Sequence, residues 1–228
     1  MALPVSGISG PGPTATQLAR DSMVDSQIRP NKVTDPRIIR AMRMIAREAF
    51  VSPAQNALAY ADADIRLAGG RAIAAPMTVA RLLQLAEPVA GERALVIACG
   101  TGYGAAVLLA CGVAVVAVEE DDAQLLIARA ALAAWGAGVQ LVSGPLAQPP
   151  VEGPFDLILI EGGIARLPDS VADLLSPDGR VVAVRCRANG GGQAVVGRRS
   201  LGAVNFVPAF DLPATKLASF QVPAGFVF

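Results

Sequence analysis

The chain has 228 residues, with 19 basic and 19 acidic side chains, no histidine and a pI of about 6.3. This balance gives no electrostatic support for binding to nucleic acid or anionic lipid, both of which favour basic surfaces. Small molecules or other proteins are the expected partners. The longest apolar stretch, residues 105–118, is broken by Gly112 and is shorter than the roughly 18 residues that a membrane-spanning helix needs.

The three cysteines, Cys99, Cys111 and Cys186, are widely spaced and include no C-x-x-C pair. Without such a pair or a histidine, the sequence predicts no zinc or other metal site. An odd number of separate cysteines indicates reduced thiols, and we expect a cytoplasmic protein.

A chain of this length suits one α/β domain. Residues 1–16 are rich in Gly, Pro and Ser, and we expect residues 1–22 to form a flexible tail. The single domain is predicted over residues 23–228. It should consist of a helical cap, at about 23–92, and a core, at about 93–228.

Two helices are predicted in the cap. Asp35 followed by Pro36 is an N-cap and first-turn pair, and the apolar spacing that follows predicts a helix to about Arg47. Pro76 begins a second helix, to residue 85. Between them, residues 60–75 contain a glycine pair and little periodicity, which predicts a loop with at most a short strand.

From residue 94 onward, short apolar runs alternate with helical ones, which is typical of a parallel sheet covered on both faces. Five strands are predicted, at residues 94–98, 113–118, 139–142, 155–160 and 180–185. Helices are predicted from the turn at 100–104 to Cys111, from Asp121 or Asp122 to Gly136 or Gly138, and at 168–175, before a turn at 176–179. A hairpin at 190–192 and a run at 194–198 predict an antiparallel C-terminal edge. The predicted fold class is α/β, with a mostly parallel, doubly wound, Rossmann-like sheet.

The glycine turn after the first predicted strand of this core is the main functional signal. Gly100 and Gly102 allow close approach of a ligand to the backbone. Glu119 follows the second strand, about 20 residues downstream, where a carboxylate can accept the ribose hydroxyls of an adenosine cofactor. Glu120 is the alternative by one position. The simpler interpretation is that the glycines form an ordinary tight turn and that the acidic residues lie at the solvent-exposed start of a helix.

The same turn also fits a nicotinamide or flavin site, as G-x-G-x-x-A through Gly100, Gly102 and Ala105. Against an oxidoreductase, the chain has no histidine and no Tyr-x-x-x-Lys pair to handle the proton that accompanies hydride transfer. We also expect no substantial second domain. The oxidoreductase is therefore the alternative hypothesis.

Several short segments outside the turn follow one another in a characteristic order. They are Met23-Val24 with Gln27, Arg47-Glu48-Ala49-Phe50-Val51, Ala59-Tyr60 with Asp62, the trio Gly70, Ile73 and Pro76, Pro154-Phe155-Asp156, and residues 174–184. In this order they resemble the protein-L-isoaspartate O-methyltransferase family, from about Met23 to the end of the sheet. The resemblance makes the chain a divergent member.

The resemblance implies transfer of a methyl group from S-adenosylmethionine to the free carboxylate of an L-isoaspartyl residue in a damaged protein or peptide. A carboxylate is already ionised at neutral pH, so no general base is needed, and no catalytic residue is identified. The cofactor contacts that we expect are Cys99, Gly100, Thr101, Gly102, Tyr103, Glu119 and Glu161. The expected substrate contacts are Ile73, Ala74 and Pro76.

The chain departs from the family pattern at five places. Val96 stands where the family has an acidic residue, Ala98 where it has a glycine, and Ala74 where it has a serine. Gly144-Pro145-Leu146 replaces an Asp that reaches the adenine amino group, and Glu161-Gly162-Gly163 replaces a Thr-Ala-Ala-like segment. These departures leave open an altered substrate, or a non-catalytic relative that serves as a binding protein.

Overall fold

The computed structural model describes residues 14–133, 138–187, 191–200 and 202–221. Within these ranges the helices are α1 (Ala15–Met23), α2 (Pro36–Met44), α3 (Pro76–Ala86), α4 (Tyr103–Ala110), α5 (Asp122–Ala133) and α6 (Asp169–Ala172). The strands are β1 (Ile65–Arg66), β2 (Ala72–Ile73), β3 (Arg93–Ile97), β4 (Ala114–Glu119), β5 (Val139–Ser143), β6 (Phe155–Ile164), β7 (Leu175–Cys186), β8 (Gly192–Ser200) and β9 (Ala203–Asp211). None of these helices has the length and apolar character needed to cross a membrane.

Seven strands form the main sheet, in the order β5-β4-β3-β6-β7-β8-β9. The strands from β5 to β7 are parallel, and β8 and β9 add an antiparallel edge. The predicted fold class is therefore confirmed. The chain leaves β3 toward β4 on one side and later returns to β6 on the other, and ligands of such sheets bind at this switch point, beyond the carboxyl ends of the strands.

Side chains of β3 alternate between two hydrophobic layers. Ala94 and Val96 face a layer formed with α2, α3, α4 and α5, whereas Leu95 and Ile97 face a second layer completed by α6 and the segment around Phe220. These four β3 residues are fully buried. Burial on both faces explains why the strands read as continuous apolar runs in the sequence.

Part of the predicted N-terminal tail is a packed helix. The hydroxyl of Thr14 accepts a hydrogen bond from the backbone N–H of Gln17 and caps α1. Arg20 is buried and donates to the hydroxyl of Tyr60 and to the carbonyl of Met44, at 2.9 and 3.0 Å. The tail predicted over residues 1–22 is therefore wrong from Ala15 onward, and residues 1–13 lie outside the described residues.

Two predicted helices are shorter than expected. Asp35 caps α2 by accepting from the backbone N–H of Arg37, as its N-cap pattern predicts, but α2 ends at Met44 instead of near Arg47. Arg47 begins a separate 3₁₀ turn because its buried guanidinium binds the carbonyls of Ala59 and Ala74. The helix predicted at 168–175 is reduced to α6, since the chain already enters β7 at residue 175.

The remaining boundaries differ by small amounts. The segment predicted as a loop at 60–75 contains the two-stranded β1–β2 sheet. The end of α5 predicted at Gly136 lies outside the described residues, as does the first glycine of the predicted hairpin at 190–192. Strand β9 was not predicted, because Pro208 and an exposed face are typical of an edge strand with a weak apolar pattern.

Irregular pairing between β6 and β7 corrects two further predictions. The register passes from Phe155 opposite Leu175 to Leu157 opposite Arg180, so the turn predicted at 176–179 is a bulge inside β7. The fourth core strand, predicted to end at residue 160, continues to Ile164 with a second irregularity between residues 159 and 163. Bulges bend a strand and re-aim its side chains, often beside active sites.

Arg180 ties the C-terminal end of α3 to the sheet. Its guanidinium donates to the carbonyls of Ala86 and Glu87 and, through two nitrogens, to the carboxylate of Glu92 at 2.8 and 2.9 Å. A cation suits the negative end of a helix, and Arg180 is only 6% exposed. This contact fixes α3 over the part of the sheet that contains β7 and β8.

We expect Arg180→Met to lower the free energy of unfolding by about 3 kcal/mol, because the change leaves two carbonyls and a partly buried carboxylate without their donor. Urea denaturation measures this loss. Arg198→Met, at an exposed position of β8, is the control and should change stability by less than about 0.5 kcal/mol. Equal effects of the two changes would contradict the role assigned to Arg180.

Candidate functional site

Three residues with left-handed backbone shape the turn after β3. Gly100 has φ +56° and Gly102 has φ +90°, conformations that glycine adopts without steric cost. Ala98 has φ +60°, which is unfavourable for a residue with a Cβ. The structure thus explains why the resemblance places a glycine at position 98. The turn has the predicted form, with one strained residue at its start.

Glu119, at the carboxyl end of β4, is fully buried and points at this turn. Its Oε2 accepts from the backbone N–H of Gly100 at 2.7 Å, and its Oε1 accepts from those of Glu120 and Asp121 at 3.0 and 3.3 Å. The side chain of Glu120 is exposed. The structure therefore brings Glu119, and not its neighbour, to the glycine turn.

Arg71, just before β2, completes this arrangement and was not predicted. Its Nη1 and Nη2 donate to Glu119 Oε1 and Oε2, each at 3.1 Å, and Nη2 also donates to the carbonyl of Ala98 at 3.0 Å. Such two-point pairs between arginine and carboxylate are strong and directional. Any other donor to these oxygens has to compete with Arg71. One feature of the sequence could have drawn attention to Arg71: it is the single charged residue in the apolar segment 67–80.

Of the other residues predicted to contact the cofactor in the turn, Thr101 and Cys99 are buried in the turn itself, whereas Tyr103 packs against the helical cap. Thr101 is buried and its hydroxyl finds no hydrogen-bond partner among the described residues. Cys99 is also buried, and burial followed by the nearby charge of Glu119 raises the pKa of its thiol, which makes it unreactive. Tyr103 instead packs into the cap, with its ring 5.4 Å from that of Phe50 and 4.6 Å below the guanidinium of Arg47.

The end of β5 offers little polar chemistry. The backbone N–H of Gly144 donates to the carbonyl of Glu119 at 3.1 Å. Pro145 is exposed and Leu146 turns fully into the core. No side chain in this stretch takes the place of the Asp that the family pattern puts there.

Glu161 lies in the irregular part of β6. Its Oε1 finds no partner among the described residues and lies beside Gly104, where a Cβ would come within 1.8 Å of it. Burial raises the pKa of Glu161 to about 8, opposed by the charges of Arg71 and Arg47 and assisted by that of Glu119. The carboxyl is therefore mostly protonated at neutral pH.

A narrow cleft, with a cavity volume of about 40 Å³, extends from Glu161 toward α3. Its walls are mainly apolar, with Val79, Leu82 and Leu159 on them, and its polar groups include Thr78 and Thr215. A second depression adjoins the first and carries Arg66 and Arg71. The site therefore combines an apolar interior with an outer end that carries Asp64 as well as the two arginines, one of which is paired with Glu119.

Only one of the three predicted substrate contacts lines this cleft. Ala74 does so, whereas Ile73 belongs to a small separate cluster and Pro76 is buried as the first residue of α3. Asp64, which was not predicted, also lines the cleft and accepts from the backbone N–H of Ala75 at 2.8 Å.

Comparison with known proteins shows to which family the chain belongs. The model of the protein-L-isoaspartate(D-aspartate) O-methyltransferase family matches residues 18–196. The chain belongs to this family. The resemblance seen in the sequence is thereby confirmed, and the matched region includes much of α1, in agreement with its packed structure.

Individual members of the family are similar over most of their length. The protein-L-isoaspartate O-methyltransferase of Methylorubrum populi is 36% identical over 168 residues, which cover 73% of this chain and 79% of the relative. Protein-L-isoaspartate O-methyltransferase 1 of Rhodopseudomonas palustris is 37% identical over 172 residues, or 74% of this chain and 70% of the relative.

Two solved structures share the fold. A protein-L-isoaspartate O-methyltransferase superimposes with a TM-score of 0.76 at 22% identity, covering 89% of this chain and 67% of that one. A putative family member from Plasmodium falciparum, in complex with S-adenosyl-L-homocysteine, gives a TM-score of 0.74 at 17% identity, covering 88% and 98%. Family membership thus favours the methyltransferase over the nicotinamide-dependent oxidoreductase that the glycine turn left open.

The raised pKa of Glu161 has a consequence for stability. A carboxyl that is harder to ionise when folded stabilises the protein below its unfolded pKa, and this contribution is lost as the pH rises toward about 8. Between pH 5.5 and 8.5, we expect Glu161→Gln to gain on the order of 3 kcal/mol relative to the unsubstituted protein. Urea denaturation at the two pH values measures the difference.

The matched control is Glu152→Gln at an exposed position, which should show little such gain. If Glu161→Gln changed stability by the same amount at both pH values, the carboxyl would not titrate in this range.

Proposed function

We propose that this chain transfers the methyl group of S-adenosylmethionine to the free carboxylate of L-isoaspartyl residues in damaged proteins or peptides. The observation that carries the proposal is the buried Glu119 beside the glycine turn, next to an apolar cleft, in a member of this enzyme family. The relatives from Methylorubrum and Rhodopseudomonas are named for this activity.

The residues around the turn fit an adenosine cofactor. Gly100 and Gly102 keep the backbone open to a ligand, and the unpartnered hydroxyl of Thr101 is a free polar group at the same place. Glu119 supplies two oxygens suited to ribose hydroxyls. When bound, S-adenosylmethionine supplies a methyl group on a sulfonium, which makes that methyl electrophilic.

Among the described residues, Arg71 opposes this fit most directly. Its guanidinium occupies both oxygens of Glu119, so the ribose hydroxyls can bind there only after Arg71 moves away. Gly69 and Gly70, both with positive φ, precede Arg71 and give this segment the backbone freedom that such a movement requires. We infer that cofactor binding exchanges the guanidinium for the ribose.

The acceptor needs positioning more than activation. An isoaspartyl carboxylate is ionised at neutral pH and attacks without loss of a proton. At the outer end Arg66 attracts an anionic acceptor, as does Arg71 once the ribose has displaced it from Glu119, and the apolar walls at Val79 and Leu82 exclude the water that would solvate the acceptor. The chain's task is then to align the carboxylate with the methyl group.

Methyl transfer tests the activity directly. With radiolabelled S-adenosylmethionine, we expect label to enter an isoaspartyl peptide and not the same peptide with ordinary aspartate. The two peptides have the same composition, so the comparison isolates the backbone linkage. Absence of transfer, or equal labelling of the two peptides, would contradict the proposed function.

Glu119→Gln tests the cofactor site. Hydrogen bonds to a charged acceptor contribute about 1.5 to 3 kcal/mol each, so we expect affinity for S-adenosylhomocysteine to fall about 100-fold in calorimetric titration. Glu120→Gln changes the exposed neighbour and should leave affinity within about twofold. Equal losses of affinity in the two variants would show that Glu119 does not bind the cofactor.

The pair between Arg71 and Glu119 also favours a second candidate function: a family member that keeps the fold as a binding protein, without turnover. Arg71→Met separates the two possibilities. If Arg71 only competes with the ribose, the change should tighten binding of S-adenosylhomocysteine about tenfold. If neither protein binds at millimolar concentration, the non-catalytic function is supported.

A further inference from the structure

Glu161 occupies a position that connects the two halves of the site. The irregular pairing of β6 places it between residues paired regularly with β7, Leu159 and Gly163. On one side its carboxyl lies against Gly104, in the first turn of the helix that follows the glycine turn. On the other side the residue lines the apolar cleft. It therefore stands where the cofactor turn and the acceptor cleft meet.

The space for this carboxyl depends on Gly104. A Cβ at position 104 would lie 1.8 Å from Oε1 and 2.9 Å from the carboxyl carbon, so side chains other than hydrogen are excluded while Glu161 keeps its place. Oε1 is buried without a partner among the described residues. A polar atom left unpaired in a packed interior is costly, so Oε1 gains a partner only when the carboxyl turns toward a ligand in the cleft that Glu161 lines.

Among the described residues, no basic side chain donates a hydrogen bond to the carboxyl of Glu161. The ionisable residues that face it, from every element packed against it, are Arg47, Arg71, Glu119, Asp64 and Cys99. Arg47 uses its guanidinium on the carbonyls of Ala59 and Ala74, and Arg71 uses its own on Glu119. Both arginines lower the pKa of Glu161, but burial outweighs them and raises it to about 8.

We propose that Glu161, in its protonated form, donates its O–H to one oxygen of the acceptor carboxylate and leaves the other oxygen free to take the methyl group. This inference rests on the proposed function. The proton stays on Glu161 throughout. A bond forms between the free carboxylate oxygen and the methyl carbon as the bond from sulfur to that carbon breaks, so that a carboxylate and a sulfonium become a neutral ester and a thioether.

The position explains a departure from the family pattern. Where the family has a Thr-Ala-Ala-like segment, this chain has Glu161-Gly162-Gly163, and the cleft loses the serine hydroxyl at Ala74. A protonated carboxyl is a stronger donor than a hydroxyl. Glu161 therefore supplies, within the same cleft, the donor that Ala74 cannot.

An ionised Glu161 would have the opposite effect, because two carboxylates in a poorly solvated cleft repel each other. Acceptor binding should thus be constant at low pH and weaken as Glu161 loses its proton. This pH dependence distinguishes an acceptor contact from a merely structural role, because a residue with only a structural role would not make acceptor binding follow the ionisation of Glu161.

The test measures binding of a fluorescent isoaspartyl peptide, by anisotropy, to the protein saturated with S-adenosylhomocysteine between pH 6 and 9.5. For the unsubstituted protein we expect a constant Kd at the lower pH values and a rise that approaches tenfold per pH unit once Glu161 has lost its proton. Glu161→Gln keeps an N–H donor of the same shape and should give a flat profile. Glu161→Ala should bind about tenfold more weakly at pH 6.5.

Identical profiles for the unsubstituted protein and Glu161→Gln would overturn the inference, as would binding by Glu161→Gln as weak as that by Glu161→Ala. The matched peptide with ordinary aspartate separates this failure from failure of the proposed function. A preference for the isoaspartyl peptide with no effect of Glu161 overturns the inference alone. No preference at any pH overturns the proposed function and the inference with it.

Discussion

The site depends on one buried carboxylate. Glu119 is fully buried, yet it accepts hydrogen bonds from three backbone N–H groups and a two-point pair from Arg71. An uncompensated charge in this position would be very costly, so the glycine turn, the end of β4 and the segment before β2 are held together around it. The acid that suits a ribose is therefore also the group that organises this part of the protein.

This constraint explains why part of the site could be predicted. The spacing from Gly100 to Glu119 and the position of each at a strand end are local properties of a strand, turn, helix and strand, and the sequence shows them directly. The parallel sheet and its antiparallel edge follow from equally local apolar runs. Arg71 was missed because its partner lies 48 positions away, and no local pattern indicates such a contact.

The errors at β6 and β7 have a related cause. Residues 176–179 contain Pro177, Asp178 and Gly179 and read as a turn, but pairing on both sides of them keeps the segment inside one strand with a bulge. The position of Glu161 depends on the second irregularity and on the absence of a side chain at Gly104. Both are properties of tertiary packing, so the sequence could suggest the residue but not its place between cofactor turn and cleft.

We infer that Glu119 is the carboxylate that binds the cofactor ribose and that Arg71 covers it until the ribose binds. The most direct measurement is a crystal structure of the protein with S-adenosylhomocysteine. We expect both ribose hydroxyls within hydrogen-bonding distance of Glu119, and the guanidinium of Arg71 more than about 3.5 Å from that carboxylate. A bound ligand with the pair of Arg71 and Glu119 still intact at 3.1 Å would contradict it.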